Sequence, residues 1–309
     1  MGFRIGTGLA GAVLLAIVAG IAFVLYTDAS LAIWKFGWQF WQTDIWDPVA
    51  GEFGARPFIW GTLYSSVVAL IIAGPIALGI AIYFSELCPA WLQRPLVFLT
   101  ELLAAIPSIV YGLWGIFVLV PFVRQLEGST PSWLKGVPLF TGPALGLGML
   151  SAALLLAIMI IPFSSSVARE VLRAVPQSQR EGAYALGATR WEAIRMALFY
   201  ARTGIIGSIM LGFGRALGET MAVTMVIGNT PQVSLSLYAP QYTMAAVIAN
   251  EFAEAAEALH LNALVEIGLV LFIVTLVVNA LSRGLIWSLG RQQRPRRVRP
   301  TLEAAAQTT

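Results

Sequence analysis

Six apolar runs, each close to the length that a lipid bilayer requires, dominate this sequence. About 20 apolar residues in an α-helix cross the hydrocarbon core of a membrane. The short alternation of apolar and polar residues that marks a membrane β-barrel is absent, so the runs are predicted to be helices. We therefore predict an all-α polytopic membrane protein with six transmembrane helices, at roughly Gly6–Tyr26, Phe58–Phe84, Pro95–Val123, Gly142–Ser164, Gly204–Gly228 and Ala263–Leu289.

The composition excludes a soluble domain. Hydrophobic residues make up 58% of the chain and charged residues only 11%, whereas soluble domains carry about 25% charged residues. The first apolar run, which follows Arg4, is longer than the apolar region of a usual signal peptide. It is predicted to be a retained first helix.

The distribution of basic residues predicts the orientation. The N-terminus, the second and fourth loops and the tail that follows Gly290 together hold 13 Lys and Arg, 11 of them in the fourth loop and the tail, against four in the first, third and fifth loops. The alternate loops hold few, and the positive-inside rule then places both termini in the cytoplasm. We expect three parts: residues 1–57 as a helix with a periplasmic loop, 58–290 as the core with five helices, and 291–309 as a basic, disordered cytoplasmic tail.

The fourth loop, residues 166–203, is the most basic part of the chain. Inside it, Glu181-Gly-Ala-Tyr-Ala-Leu-Gly187 has the pattern of a short helix that ends on a glycine. A basic, partly helical loop on the cytoplasmic side offers a docking surface to another protein. Its six arginines are Arg169, Arg173, Arg180, Arg190, Arg195 and Arg202.

Several kinds of chemistry are excluded by the residues present. The chain has one cysteine, Cys88, and one histidine, His260, and no cluster with the spacing of metal ligands. It has no phosphate-binding loop and no nucleophile elbow. A basic groove interleaved with aromatics is also absent, so no nucleic-acid partner is expected. We expect no enzyme activity, no cofactor and no metal.

Two charges, Arg215 and Glu219, fall deep in the fifth predicted helix. Either charge alone at the bilayer centre costs about 2.5 kcal/mol or more. Since they are four residues apart, we expect them to share a helix face and to pair. Ser208, Gly212 and Ala222 fall on the same face, beside a seam of Gly207, Gly214 and Gly218.

This polar face has two interpretations. It is either a buried ion pair that fixes helix packing or the lining of an anion path, in which the Arg215 guanidinium suits a tetrahedral oxyanion. Intramembrane ionisable residues favour the second interpretation. In the third run, where Pro107 interrupts the helix, Ser108 and Tyr111 could supply hydroxyl groups to the anion. Pro162 is expected to end the fourth helix.

The remaining loops predict surface features. Trp34, Trp38, Trp41 and Trp46 suit the outer headgroup layer. A helical pattern over Thr243–Leu259 places its three glutamates on one face, which we expect to be solvated, and His260 is expected to be solvated as well. A metal site at these glutamates is the weaker alternative.

The fourth loop resembles the EAA loop of ABC importer permeases, which forms a coupling helix that docks on an ATPase. The resemblance rests on Glu181-Gly-Ala-Tyr-Ala-Leu-Gly187 and the Ala-Thr-Arg-Trp191 that follows it. Gly182 replaces an alanine of the motif, and Ala197, Phe199 and Tyr200 stand where Ile-x-Leu-Pro is expected. The resemblance implies that the ATPase-coupling residues are Glu181, Gly182, Ala183, Gly187, Ala188 and Arg190.

A narrower resemblance covers most of Phe58–Leu289. Gly214-Arg-Ala-Leu-Gly-Glu-Thr-Met-Ala-Val223 is similar to the fifth-helix signature of the phosphate-specific permease family PstC, and Glu101–Gly115 and Tyr242–Ala253 resemble other segments of that family. The resemblance implies a type I ABC importer fold in the inner membrane. It also implies a second, PstA-like permease, a PstB-like ATPase dimer and a PstS-like phosphate-binding protein as partners. The substrate-path residues would be Arg215, Glu219, Ser208, Ser108 and Tyr111.

Three other functions stay open on the sequence. A permease for molybdate, sulfate or phosphonate would need the same polar path. An ion-coupled secondary transporter would work as a single chain without ATP. A membrane sensor would use the basic loop to recruit a signalling protein.

Overall fold

The computed structural model describes residues 2–131, 133 and 136–291. Within these residues, six helices are long and apolar enough to cross a membrane, and each coincides at least in part with a predicted run. The prediction of a six-helix membrane protein is therefore confirmed. The predicted tail 291–309 lies outside the described residues, apart from the backbone of Arg291.

The described part of the chain is mostly helical and contains one two-stranded antiparallel hairpin. Short 3₁₀ turns follow α2 and precede α7, and π-helical turns extend α3 and join α5 to α6. The elements are α1 Gly2–Asp28, α2 Ser30–Phe36, β1 Trp46–Asp47, β2 Glu52–Phe53, α3 Arg56–Ile82, α4 Ala90–Ala105, α5 Ser108–Trp114, α6 Val120–Gly128, α7 Met149–Arg173, α8 Gln177–Ala185, α9 Arg190–Leu217, α10 Met221–Thr224, α11 Met244–Glu251 and α12 Ala258–Arg291.

The third predicted run does not form one helix. It is broken at Ile106 and Pro107, whose backbones are extended, so that α4 and α5 are separate helices. Proline disfavours the α conformation of the residue before it, which accounts for the break. The spanning segment therefore begins at Ser108 and continues through the π-helical turn to Gly128.

The expectation that Pro162 ends the fourth helix is wrong. α7 continues through the buried Pro162 to Arg173, and it begins at Met149 rather than at Gly142. Neighbouring helices in a membrane protein tolerate a proline because they enclose the backbone group that it leaves unbonded. α7 is the most deeply buried of the spanning helices.

A ridge of four alanines joins α3 to the rest of the bundle. Ala69, Ala73, Ala77 and Ala81 recur every four residues, which places them on one face of α3, and each is 0–1% exposed. Ala69 and Ala73 pack in one cluster with residues of α7, and Ala81 packs in another with residues of α7 and α9. Small side chains at this spacing let two helices approach closely in a membrane.

A second core lies at the end of the bundle opposite α8. There the segment 32–58, which includes the hairpin, packs against residues 242–248 and the first turns of α12. Trp46 lies in this core, edge-on to Phe53 and Phe58 at 4.8 Å between ring centroids. The headgroup position of the four tryptophans stays a prediction. Burial raises the pKa of Tyr242 in the same core to about 12, so its hydroxyl stays neutral.

The expectation that the glutamate face and His260 are solvated is wrong for two of these residues. Glu251 Oε2 lies 2.9 Å from Trp46 Nε1 and 3.1 Å from His260 Nε2. The His260 ring stacks on Phe53 with 5.4 Å between centroids. This cluster ties the hairpin to α11 and α12, because each of the three elements contributes a residue. Glu254 and Glu257 are exposed, as expected.

Candidate functional site: the Arg215 surface and the α8 loop

The fifth predicted helix ends earlier than its apolar run. α9 stops at Leu217, with Gly218 as its C-cap, and only the short α10 follows. Glu219 Oε1 accepts a hydrogen bond from the backbone N–H of Ala222 at 3.4 Å, so its side chain caps α10. The helix therefore breaks between Arg215 and the residues that were expected to continue it.

Arg215 is exposed in the last turn of α9 and makes no ion pair with Glu219. The ion pairs formed among the described residues do not include these two, so the predicted pairing is wrong. Since Glu219 lies beyond the helix end, the spacing of four residues no longer places the two side chains on one face. The guanidinium instead lies over the ring of Phe163 in α7, 5.7 Å from its centroid.

Tyr111 lies in α5, which packs against the segment that follows α9. An added Cβ on the neighbouring Gly112 would lie 3.2 Å from Ala222 of α10. The Tyr111 hydroxyl donates to the carbonyl of Leu103 at 2.9 Å, across the break between α4 and α5. Ser108 is the first residue of α5, at this break. The structure thus places α5, with Ser108 and Tyr111, beside the segment that follows the Arg215 end of α9.

Ser208 and Gly212 lie elsewhere, in the contact between α7 and α9. Ser208 is 1% exposed, and its carbonyl accepts a hydrogen bond from Ser164 Oγ at 3.3 Å. A Cβ on Gly212 would overlap Ser164 Oγ and lie 2.7 Å from Ile160. The predicted polar face is therefore divided, with an exposed end at Arg215 and a buried part that packs on α7.

The glycine seam faces α12 in part. An added Cβ on Gly207 would lie 3.8 Å from Ile286, and one on Gly214 would lie 3.6 Å from Asn279 Oδ1. Gly218 has open space around it. Two of the three glycines thus border a helix of the same chain.

The EAA-like segment forms α8, which ends in a glycine-capped turn. Gly187 has a φ of +82°, in the left-handed region. Ala188 N–H bonds the carbonyl of Ala183 at 3.1 Å and Gly187 N–H bonds that of Tyr184 at 2.9 Å, the pattern of a Schellman cap. The predicted glycine ending is confirmed, but the helix begins four residues before Glu181, at Gln177, and its last residue is Ala185.

A capping box starts the next helix only four residues later. The Glu192 backbone N–H donates to Thr189 Oγ1 at 3.4 Å, and the Glu192 carboxylate accepts from Thr189 N–H at 2.7 Å. This reciprocal pair satisfies two free donors at the start of α9. The connection between α8 and α9 is therefore short and defined at both ends.

Arg180 and Arg190 attach the α8 loop to the end of α3. Arg180 Nη2 lies 2.7 Å from Glu86 Oε1. Arg180 also donates to the carbonyl of Leu172 in the last turn of α7 and to that of Val175 just after it. Arg190 Nη2 donates to the Glu86 carbonyl at 2.7 Å. Sequence reasoning did not single out Glu86, because it lies about a hundred residues away in the chain.

The outer surface of α8 exposes two large side chains. Leu186 is 91% exposed and Tyr184 is 50% exposed, while Ala183 faces inward at 5%. Glu181 and Gly182 are also exposed, and a Cβ on Gly182 would have no neighbour within 4 Å. The surface offered to a partner therefore centres on Tyr184 and Leu186, which sequence reasoning did not name. An apolar side chain exposed at the end of a basic loop could have indicated them.

The family model for the inner membrane component of binding-protein-dependent transport systems matches residues 75–291. This match covers more than half of the chain and includes every element of the two regions just described. The chain belongs to this family. Both the Arg215 surface and the α8 loop of this transport-system permease lie within the residues that the family model matches.

Curated relatives of this permease resemble it over nearly its whole length. The permease protein PstC of a phosphate transport system in Mesorhizobium japonicum is 44% identical, over 92% of this chain and 89% of its own. The PstC protein of Pasteurella multocida is 49% identical, over 84% and 82%. That of Methanocaldococcus jannaschii is 38% identical, over 85% and 87%.

Solved structures support the permease fold. A chain of the MetNI methionine ABC transporter, in an inward-facing crystal form, aligns with a TM-score of 0.57 at 17% identity. The alignment covers 75% of this chain and 94% of that one. At this identity the likeness concerns the fold alone.

Proposed function

We propose that this permease is the PstC-like subunit of an ATP-driven phosphate importer in the inner membrane. The observation that carries the proposal is the 44–49% identity to permease proteins of phosphate transport systems over most of the chain. The concentration of arginine around α8 favours a cytoplasmic position for that end and for both termini. The proposed partners are a PstA-like permease, a PstB-like ATPase dimer and a PstS-like phosphate-binding protein.

Arg215 is proposed as the main phosphate contact in the path. Its guanidinium is exposed and has no carboxylate partner within the described part of the chain, so it is available to an oxyanion. Guanidinium groups bind phosphate oxygens through two parallel hydrogen bonds. At the adjacent break, Ser108 supplies a hydroxyl group, and Tyr111 would supply one on releasing the Leu103 carbonyl. Ser208, which is buried against α7, contributes by keeping α9 in position.

Glu219 is proposed to shape the path rather than to neutralise Arg215. Its carboxylate caps α10 at the Ala222 N–H. A cap at this position holds the chain open just after α9, because it satisfies a backbone donor that the broken helix would leave free. Arg215 thereby stays at an exposed helix end.

The α8 loop is proposed to couple the path to ATP hydrolysis. The exposed Tyr184 and Leu186, with Glu181 beside them, form a surface that a groove on an ATPase could hold. The contacts of Arg180 and Arg190 with Glu86 would pass a movement of α8 to α3. Movement of α3 against its neighbours is the rigid-body change that alternating access requires.

Phosphate uptake by the complete transporter tests the proposal. We expect Arg215→Gln to reduce uptake at least a hundredfold while the complex still assembles and hydrolyses ATP, and Arg215→Lys to retain part of the activity. Arg4→Gln, an exposed arginine at the other end of the chain, serves as the matched control. Unchanged uptake by Arg215→Gln would contradict the assigned path.

Two controls separate the other functions. Excess molybdate, sulfate or phosphonate should not compete with phosphate if the path is phosphate-specific, whereas strong competition would favour another oxyanion. Uptake by the purified single chain in liposomes without ATP would indicate a secondary transporter and would contradict the proposal.

A further inference from the structure

A second basic site lies at the α8 end of the bundle, between α4 and α7. It is a cavity of about 810 Å³ whose charged lining consists of Arg94, Arg169, Arg173 and Glu101. The Arg215 surface shares none of these residues. Three arginines against one carboxylate give the cavity a net positive charge, which the proposed path does not use.

The arginines converge because of their helix positions. Arg94 and Glu101 are seven residues apart in α4 and lie on one face, with Val97 and Phe98 between them. Arg169 and Arg173 are four residues apart in α7 and also share a face. Placing like charges side by side is unfavourable unless an anion compensates them.

The carboxylates nearby compensate only part of this charge. Arg169 Nη2 lies 2.6 Å from Glu170 and 3.5 Å from Glu101. Both contacts use a single nitrogen of a guanidinium that is only 9% exposed. Among the described residues, the remaining nitrogens of Arg169 and the whole guanidinium groups of Arg94 and Arg173 have no hydrogen-bond or ion-pair partner.

The start of α4 adds further donors. Ala90 and Trp91 are its first residues and line the same cavity. Their backbone N–H groups come too early in the helix to bond within it, so they are free to meet a ligand. The positive end of the helix dipole points the same way. The site therefore combines a buried arginine, two free arginines and a helix N-terminus.

We infer that this cavity binds a phosphate group. The group is either the headgroup phosphate of an anionic phospholipid or inorganic phosphate. Basic pockets between membrane helices near the interface are suited to such groups. Trp91 and Phe98, 77% and 61% exposed, are placed to contact an acyl chain. The ligand neutralises arginines of both α4 and α7, and so links the two helices.

The test uses the assembled transporter purified in detergent, with Arg215→Gln in every sample so that the proposed path cannot contribute. One arm adds phosphatidylglycerol, with phosphatidylcholine as the neutral comparison, and measures retained lipid by native mass spectrometry. The other arm adds inorganic phosphate and measures binding by equilibrium dialysis. The variant is Arg94→Gln with Arg173→Gln, two exposed residues whose loss leaves the packing intact, and the control is Arg4→Gln.

We expect the double variant to lose anion binding about tenfold or more, while the control retains it. Loss in the phosphatidylglycerol arm alone identifies a lipid headgroup, and loss in the phosphate arm alone identifies the free ion. Binding of neither probe by the parent, or equal binding by the double variant and the control, would overturn the inference. Because the readout is binding in a transport-inactive background, its failure is distinct from failure of the proposed path.

Discussion

Arg180 joins the α8 loop to α3 through Glu86, with 2.7 Å between the guanidinium nitrogen and the carboxylate oxygen. Both side chains are mostly buried, at 22% and 12% exposure, and Arg180 also donates to two carbonyls at the end of α7. One residue of α8 is therefore bonded to the ends of two spanning helices. A movement of α8 cannot leave α3 or α7 behind unless these bonds break.

Replacing Glu86 with Gln should uncouple ATP hydrolysis from uptake. The change removes the charge-assisted bond, which is worth about 1.5–3 kcal/mol in a partly buried setting. We expect uptake to fall about tenfold with ATPase activity retained, measured on the complete transporter in liposomes. Glu257→Gln, an exposed carboxylate at the opposite end, is the control, and a parallel fall in ATPase activity would argue against a coupling role.

Two glycines of the α8 loop should respond to alanine in opposite directions. Neither has a neighbour that an added methyl group would meet, so only the backbone differs. Gly187→Ala should destabilise the loop by about 1–2 kcal/mol, because its φ is left-handed. Gly182→Ala lies inside a helix and should stabilise it by about 0.5–1 kcal/mol.

Hydrogen exchange of residues 177–192 in the purified transporter measures both changes. Exchange in α8 should become faster in Gly187→Ala and slower in Gly182→Ala. The same direction of change in both variants would show that the turn geometry is not the controlling factor.

Gly212→Ala should destabilise the chain, whereas Gly214→Ala should not. The first methyl group would overlap Ser164 Oγ in the α7–α9 contact, and the second would meet only an ordinary contact at Asn279. Overpacking of this kind costs about 1–3 kcal/mol. Thermal unfolding in detergent distinguishes the variants, and equal melting temperatures would mean that α7 and α9 can move apart at no cost.

Glu251→Gln should loosen the end of the bundle opposite α8. Its carboxylate accepts from Trp46 and contacts His260, so the amide can replace only part of these interactions. We expect a loss of about 1–3 kcal/mol, since a buried partner is left unsatisfied. Hydrogen exchange of the hairpin, residues 46–53, should become faster. The exposed Glu254→Gln should leave it unchanged.

The six spanning helices could be predicted from the sequence, because a bilayer requires each span to be long and apolar. Pro107 and Gly187 also acted as expected, since each restricts the backbone locally. The positions at which helices end within apolar runs could not be predicted from the sequence. α9 stops at Leu217 because Gly218 and the Glu219 cap interrupt it, and hydropathy carries no trace of that interruption.

The site was only partly predictable for a related reason. Arg215 stands out as a charge in an apolar run, but its relation to Glu219 depended on a helix that does not continue. The Glu251–His260 contact and the Arg180–Glu86 pair both join distant parts of the chain. A single sequence gives no distance information of that kind, so His260 was expected in solvent and Glu86 was not considered.

The alanine ridge of α3 has a mechanical consequence. Alanine has no side-chain rotamers, so the α3 side of this interface forms without loss of side-chain entropy. For the same reason, Ala69, Ala73, Ala77 and Ala81 cannot absorb strain by changing rotamer. Force applied at one end of α3 is therefore passed along the helix pair as displacement instead of being dissipated by repacking.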